Sequence, residues 1–373
     1  MGGRERVSIG IVAWNEEAGI ARTLESLLQQ SLYKRLGEDG GVCEIMVLVN
    51  GCTDRTAEVA REFFARELLP HPDRHSITAS VVELTERGKL NAWNQFVHRL
   101  SSRESGVLFL MDSDIIIHRP DTLWNMLMVL RNDPEAHVAT DLPRKDLAFK
   151  SRKSLLERTS LGASRLTQSA EAQLCGQLYC IRSEIARKIY MPKDLTACED
   201  GFIKTLVCTD FLTRPSAPGR VRLAEDAEHT FEAYTSPLAL LKNQKRQIIG
   251  QTIVHILIDR YLKEQPLSEK LRLAEFLREK DRTDPAWLKR LIAEHVRQKR
   301  FWWRLYPGMG TVGFRRLRHC SVSRRVVCLP AALAHSALVM MSGSLAYGSL
   351  KAGCTDYWPR AVRAGFAPAQ SSP

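Results

Sequence analysis

The sequence predicts an α/β protein with a mostly parallel central sheet flanked by helices, followed by a basic helical C-terminal extension. Three observations carry this prediction. Short apolar runs alternate with longer helix-period segments over the first 130 residues. The turn residues between them are spaced for strand–helix–strand crossovers. The third is charge: residues 1–250 carry 33 basic and 33 acidic side chains and residues 251–373 carry 21 and 9, so the net charge of +12 lies wholly in the last third. At 44% hydrophobic and 26% charged, the 373-residue chain can bury a sizeable core, which excludes disorder as its main state.

Taken in order, Val7 to Trp14 reads as a buried strand. Glu17 to Gln30 follows as a helix with Ile20, Leu24, Leu27 and Leu28 on one face. Leu36 to Gly41 is a glycine-rich loop, and Cys43 to Val49 a second strand. Asn50-Gly-Cys-Thr-Asp has turn chemistry, with Thr53 or Asp54 placed to cap a helix over Arg55 to Leu68. A strand at Ser80 to Leu84, a helix at Lys89 to Leu100 and a strand at Val107 to Met111 complete the regular part. Ligands of such sheets bind at the carboxyl ends of the strands, where Asn15, Asn50 and the Asp112/Asp114 pair fall.

From about 140 to 250 the pattern loosens. It offers a basic helix-like stretch (Phe149 to Gln168), a strand candidate (Cys175 to Arg182), a Pro/Gly turn (Pro215 to Gly219) and a helix from Pro237 to Leu262. Beyond it, Asp284 and Pro285 signal a helix start. Trp287, Leu288, Leu291, Ile292 and Val296 lie on one face of that helix, against Lys289, Arg290, Arg297, Lys299 and Arg300. The expected division is therefore 1–250 for a catalytic unit and 251–373 for a basic, amphipathic helical region.

The nine cysteines are irregularly spaced with no C-x-x-C, so neither a zinc site nor a disulfide framework is expected. The N-terminus has no apolar run long enough for a signal peptide, and Gly2 lacks the Ser or Thr a myristoylation site requires. A reducing cytosol is the expected surrounding.

Asp112-Ser113-Asp114, directly after an apolar strand, carries the strongest chemical signal. Two carboxylates on a turn at a strand end can hold a hard divalent cation and leave positions for phosphate oxygens. A solvated Asp-rich turn is the competing reading of the tripeptide alone. Glu199-Asp200 lies in a small, apolar stretch, where a carboxylate can take a proton from an attacking hydroxyl or simply start a helix. Arg246 shares a helix face with Lys242, suited to a diphosphate leaving group or to plain solvation.

The segments SIGIVAWNEEAGIARTLESLLQQS, VLVNGCTDRTAEVA, ERGKLNAWNQF, FLMDSD, EDGF and NQKRQ occur in this order. Together they resemble the family 2 glycosyltransferases, over roughly residues 7 to 250. The resemblance implies a GT-A, Rossmann-like fold and an inverting, metal-dependent transfer of one sugar from a nucleoside-diphosphate sugar to a hydroxyl acceptor. It places nucleotide binding on Ala13, Asn15, Glu16, Asn50, Asp54 and Lys89, and the metal and diphosphate motif on Asp112, Ser113 and Asp114. Mn or Mg is the implied cation, with Asp114 as its main ligand. Asp200 falls on the general base, and Asn243, Arg246 and Gln247 on the terminal motif. Two departures stand out. Asn50 replaces an Asp that reads base or ribose in many relatives, and Asn243 and Gln247 replace the Gln and Trp associated with processive synthases, which implies single-sugar addition.

Gly308-Met-Gly310-Thr-Val-Gly313 spells a dinucleotide fingerprint, but no strand precedes it and no acidic residue follows before Asp356. A sugar-nucleotidyltransferase would need a glycine-rich phosphate loop near the N-terminus, which VAWNEEAG is not. The other rival, a non-catalytic membrane-binding protein with a vestigial transferase domain, sits badly with an intact Asp112, Asp114, Asp200 and Arg246. Basic residues interleaved with Trp302, Trp303 and long aliphatics disfavour nucleic acid and favour an anionic membrane surface. Val326 to Leu350 is free of charge over 25 residues. It is long enough for a spanning helix, an interfacial or re-entrant segment, or a helix packed on the catalytic unit. Arg315, Arg316, Arg318, Arg324 and Arg325 would keep that flank cytoplasmic. The expected setting is the cytoplasmic side of a membrane, with a lipid-linked or glycan acceptor of cell-envelope or exopolysaccharide synthesis.

Overall fold

The computed structural model describes residues 5–149, 172–233, 236–299, 305 and 322–353. One sheet runs through the catalytic part in the order β3-β2-β1-β4-β7-β6-β8-β5. Its first half is parallel. β1 (Arg6–Ala13) lies between β2 (Val42–Asn50) and β4 (Val107–Asp112), with Ile9 opposite Ile45 on one side and Phe109 on the other. β3 (Ile77–Leu84) flanks β2. Both faces of this half are covered, so Val107 to Met111 are all buried, as expected for parallel strands. Odd-numbered β1 residues (Val7, Ile9, Ile11) enter a core with α1 (Ile20–Leu28) and α3 (Thr56–Glu67). Leu108 and Leu110 of β4 face the other core, with Trp93 of α4 (Lys89–Gln95) and Phe96 of the π turn after it.

Two local expectations need correction. α1 begins at Ile20 rather than Glu17. The loop expected over Leu36 to Gly41 is largely replaced by α2 (Leu32–Glu38), whose Leu32, Tyr33 and Leu36 are buried. Seven residues are too few for a helical period to stand out among glycines.

The irregular stretch supplies the rest of the sheet. After α5 (Thr122–Asn132), β6 (Val138–Lys145) and β7 (Leu178–Arg182) pair antiparallel, β7 pairs antiparallel with β4, and β8 (Val221–Phe231) runs parallel to β6. β5 (Ile115–Ile116) closes the edge against β8. β8 escapes a hydrophobic reading because its outward charges are tied into ion pairs, Asp226 and Glu228 with Arg119 and Glu228 with Arg144.

α6 (Ser183–Ala186) precedes α7 (Glu199–Cys208), which packs beside the long α8 (Pro237–Arg260). The Ser236 hydroxyl caps α8 by accepting from the Ala239 N–H, with Pro237 at its first position. Residue 250, the expected division, lies inside α8. Ile249, Ile253 and Leu257 of α8 share one core with Phe202 and Leu206 of α7, with Phe276 and Leu277 of α10 (Leu273–Thr283), and with Trp287, Leu288, Ile292 and Val296 of α11 (Trp287–Gln298). A short α9 (Leu267–Leu271) links α8 to α10. The apolar face expected for α11 is thus the face buried, though the helix starts two residues past Pro285.

α12 (Val322–Lys351) packs against α8 and α11, burying Ala346 and Leu350, and the Tyr347 hydroxyl donates to the Lys299 carbonyl at 2.8 Å. Among the described residues no helix is long and apolar enough to cross a membrane. The basic helix expected over 149–168, apart from its first residue, and the glycine motif at 308–313 lie outside the described residues.

Candidate active site

The carboxyl ends of β1, β2 and β4 open on a cleft of about 1530 Å³. Asn15, Glu16, Asn50, Asp54, Lys89, Asp112, Ser113, Asp114, Asp200 and Arg246 all line it. Ala13 does not: its side chain is wholly buried in the core under α1 and α3, because the last residue of β1 points to that face of the sheet.

The residues after β1 and β2 are tied to one another. Asn15, at a left-handed φ of 55°, accepts the Thr53 N–H on its Oδ1 at 2.8 Å, and the Glu16 N–H donates to Thr56 Oγ1 at 2.8 Å. Asp54 accepts from the Thr56 N–H at 3.1 Å and from the Glu17 N–H at 3.2 Å. These polar side chains therefore set the shape of the cleft wall as well as facing it. Asn50, nearly buried, accepts the Gly88 N–H on its Oδ1 at 2.8 Å. Gly88 has φ +144°, a conformation that strains any residue with a side chain, and it starts α4 with Lys89 aimed inward.

Lys89 is the hub of the site. Its Nζ lies 2.7 Å from Asp112 Oδ1 and 2.8 Å from Glu199 Oε1, and donates to the Gly176 carbonyl at 3.2 Å. It thus joins the end of β4 to the start of α7. Burial opposes its charge, but the two carboxylates more than reverse that and hold the ammonium well above its ordinary range. Glu199 is likewise held below the usual carboxylate range: burial alone would raise it, and Lys89 outweighs burial. Its neighbour behaves oppositely. Burial, then the Glu199 charge, push the Asp200 carboxyl up to about 6. Two adjacent carboxylates thus stand in different surroundings, Glu199 paired with Lys89 and Asp200 pushed upward by burial and by its neighbour.

The turn before α7 is held under constraint. Cys198 adopts φ 62°, unusual for a residue with a side chain, and its thiol donates to Gln247 Oε1 at 3.3 Å. A Cβ on Gly250 would lie 2.8 Å from Ala197 and from Cys198 Sγ, so glycine there lets α8 press directly on the turn that presents Asp200. Arg246, one turn earlier on α8, is oriented by Asn243 Oδ1 at 3.4 Å. On the β4 side, the Ser113 carbonyl accepts from Thr23 Oγ1 at 2.8 Å, anchoring the Asp-Ser-Asp turn to α1.

Several residues at and beneath the cleft carry no sequence signal of the kind used above. Beneath the cleft, His229 of β8 and Asp141 of β6 form a wholly buried pair, Nδ1 to Oδ2 at 2.7 Å. Burial lowers the imidazole, but Asp141 overrides it and pushes His229 up to about 10. Gln177, whose side chain lies 3.4 Å from His229 Nε2, accepts the Asp112 N–H on its carbonyl at 2.9 Å, linking this pair to the aspartate turn. At the mouth, the Arg87 guanidinium stacks 3.8 Å over the Trp14 ring. An acid in the apolar run VATDLP was the one available hint of Asp141.

Among the described residues no group of three His, Cys, Asp or Glu is arranged to hold a metal. Asp112 and Asp114 offer an all-oxygen pair, which suits a hard cation that takes its remaining ligands from diphosphate and water.

The family model described as "Glycosyl transferase family 2" matches residues 8–185. No curated protein matches the sequence. Among solved structures, the fold is similar to S. aureus TarS 1-349, at 16% identity over 93% of this chain and 92% of that one, with a TM-score of 0.44. It is also similar to glucosyl-3-phosphoglycerate synthase from Mycobacterium tuberculosis, at 18% identity over 68% of this chain and 80% of that one, with a TM-score of 0.44; that structure contains Mn2+, UDP-glucose and phosphoglyceric acid. By the family match, residues 8–185 form a glycosyltransferase family 2 domain, and the protein is a glycosyltransferase of the nucleotide-sugar-dependent kind.

Proposed function

We propose that the cleft performs an inverting, metal-dependent transfer of a single sugar from a nucleoside-diphosphate sugar to a hydroxyl of a lipid-linked or glycan acceptor. The observation that carries this reading is the split between Glu199, paired with Lys89, and Asp200, raised to about 6 at the same edge of the cleft. Asp200 takes the proton of the acceptor hydroxyl as its oxygen forms the new bond to the anomeric carbon. The bond from that carbon to the diphosphate oxygen breaks on the opposite face, and the electron pair leaves with the diphosphate. Arg246 compensates the charge that develops there. Asp114 and Asp112 would hold Mn or Mg, which supplies further charge neutralisation at the diphosphate when bound. Lys89 pairs with Asp112 and holds it in place.

The substitutions Asn243 and Gln247 in the terminal motif favour single additions over a polymer. Attachment to the cytoplasmic face of an anionic membrane is supported by α12, where Leu329, Leu333, Met340, Met341 and Leu345 are 41–53% exposed at helical spacing. The basic run between Arg315 and Arg325 precedes them in sequence.

The test is a donor screen reading nucleoside diphosphate release with Mn or Mg and with chelator. Release that depends on the cation and on an added acceptor supports the reading. Formation of nucleoside triphosphate and sugar phosphate instead, with pyrophosphate present, would overturn it in favour of nucleotidyl transfer.

A further inference from the structure

The cleft is divided by charge. Its strand-end half is acidic, with Glu16, Asp54, Asp112, Asp114, Glu199 and Asp200 against few cations. At the far rim the balance reverses: Arg87, Lys193, Arg278, Arg282 and Lys289 stand against Glu86, Asp194 and Asp281.

The rim is a built surface. Asp281 of α10 accepts from Trp287 Nε1 at 2.7 Å on one oxygen, and from the Tyr190 hydroxyl at 3.1 Å and the Lys193 N–H at 2.8 Å on the other. One carboxylate thereby joins α10, α11 and the 190–193 loop. Asn94 fixes the same loop by bonding both the carbonyl and the N–H of Met191, at 2.8 and 3.0 Å. Asp194, with a side chain only 7% exposed, pairs with Lys289 at 3.3 Å, and Glu86 pairs with Lys193 at 2.9 Å. The acids of the rim are thus spent on its construction. Arg278 stacks 5.4 Å over the Tyr190 ring, and Arg282 follows one helical turn later on the same face of α10. Both are exposed, and among the described residues neither makes an ion pair with a carboxylate. Two guanidiniums on a fixed frame, with lysines beside them, match the planar, multidentate demand of a phosphoryl group. The donor's own diphosphate belongs to the other half of the cleft, with Asp112, Asp114 and Arg246.

We propose that this rim is the acceptor subsite and that the acceptor carries a phosphate, which Arg278 and Arg282 hold while its hydroxyl is presented to Asp200. The inference rests on the transferase reading of the same cleft and names the acceptor's chemical class.

The test uses the full chain saturated with UDP and Mn2+, or with GDP if UDP does not bind, so that the diphosphate site is filled. Glycerol 3-phosphate and glycerol are then titrated calorimetrically. Glycerol 3-phosphate is expected to bind and glycerol not. The Arg278→Ala/Arg282→Ala double variant is expected to weaken glycerol 3-phosphate at least about tenfold, the scale of lost charge-assisted hydrogen bonds. Arg282→Ala alone, at an exposed position that cannot unsettle the core, should show a smaller loss in the same direction. Lys280→Ala removes the same charge from α10 away from the cleft and should change affinity less than about twofold. Displacement of glycerol 3-phosphate by phosphatidylglycerol vesicles would support the subsite with a membrane-held phosphate as its source. Its absence, with the arginine dependence intact, would support the subsite with a soluble or glycan-borne phosphate. Equal behaviour of glycerol and glycerol 3-phosphate, or wild-type affinity in the double variant, would overturn the inference and leave the transferase reading standing. Failure of every nucleoside diphosphate to bind the wild-type chain would count against both.

Discussion

The two halves of the sheet reach the cleft by different physics. In the parallel half, β1, β2 and β4 are buried on both faces, and their chemistry sits in short polar turns at the strand ends: Asn15, Asn50 and Asp112 to Asp114. In the mixed half, β6, β7 and β8 carry their polar residues within the strands. There Asp141 and His229 lie wholly beneath the surface and are linked to the aspartate turn through Gln177. One half displays its polar residues in the cleft, and the other buries them beneath it.

The sharpest way to break this comparison is to remove the buried support. His229→Ala leaves Asp141 as an uncompensated buried carboxylate and is expected to cost about 3–5 kcal/mol of stability, read as a fall in denaturation midpoint. The pH dependence has a definite sign. His229 is raised to about 10 in the folded chain, so its contribution is complete below the ordinary histidine range near 6.5 and is lost as pH rises through about 10. Wild type should therefore lose more stability than His229→Gln over that interval. Equal pH slopes would show that the pair is not ionised.

A smaller effect is expected at the hub joining the halves. Lys89→Met leaves Asp112 and Glu199 facing each other without a cation, at about 3 kcal/mol, and it should weaken metal-dependent nucleotide binding as well. Retained binding would place Lys89 outside the donor site. Gly250→Ala drives a methyl group into Ala197 and Cys198, at about 1–3 kcal/mol. Because the clash falls on the turn before α7, turnover is expected to fall more than nucleotide binding. The smallest effect is titration. With Asp200 near 6, kcat/KM should fall on the acid side with a midpoint close to pH 6, since only the ionised carboxylate accepts a proton.

The same contrast explains what was legible in the sequence. β1, β2 and β4 announced themselves as apolar runs, and the aspartate turn could be placed because it ends one of them. β8 was not legible: Arg222, Glu225, Asp226 and Glu228 break its apolar pattern, and only the folded chain supplies Arg119 and Arg144 as their neighbours. Glu199 and Asp200 were legible as a pair, with the base placed on Asp200 by resemblance, but the ion pair that holds Glu199 depends on Lys89 arriving from a helix more than a hundred residues earlier. The resemblance implies nucleotide binding at Ala13, and the alternation of the strand turns its side chain into the core, which leaves only its backbone to face a ligand. The rim arginines lie on α10, a stretch that carries no motif, and only the fold shows Asp281 joining three elements there.

The central claim is that Asp200 is the proton acceptor while its neighbour is structural. Its most direct test is sugar transfer measured beside nucleoside diphosphate binding in Asp200→Asn. The variant is expected to bind nucleotide and metal as wild type does and to lose transfer by about two to four orders of magnitude. Unchanged turnover, or a loss explained entirely by lost nucleotide binding, would contradict the account.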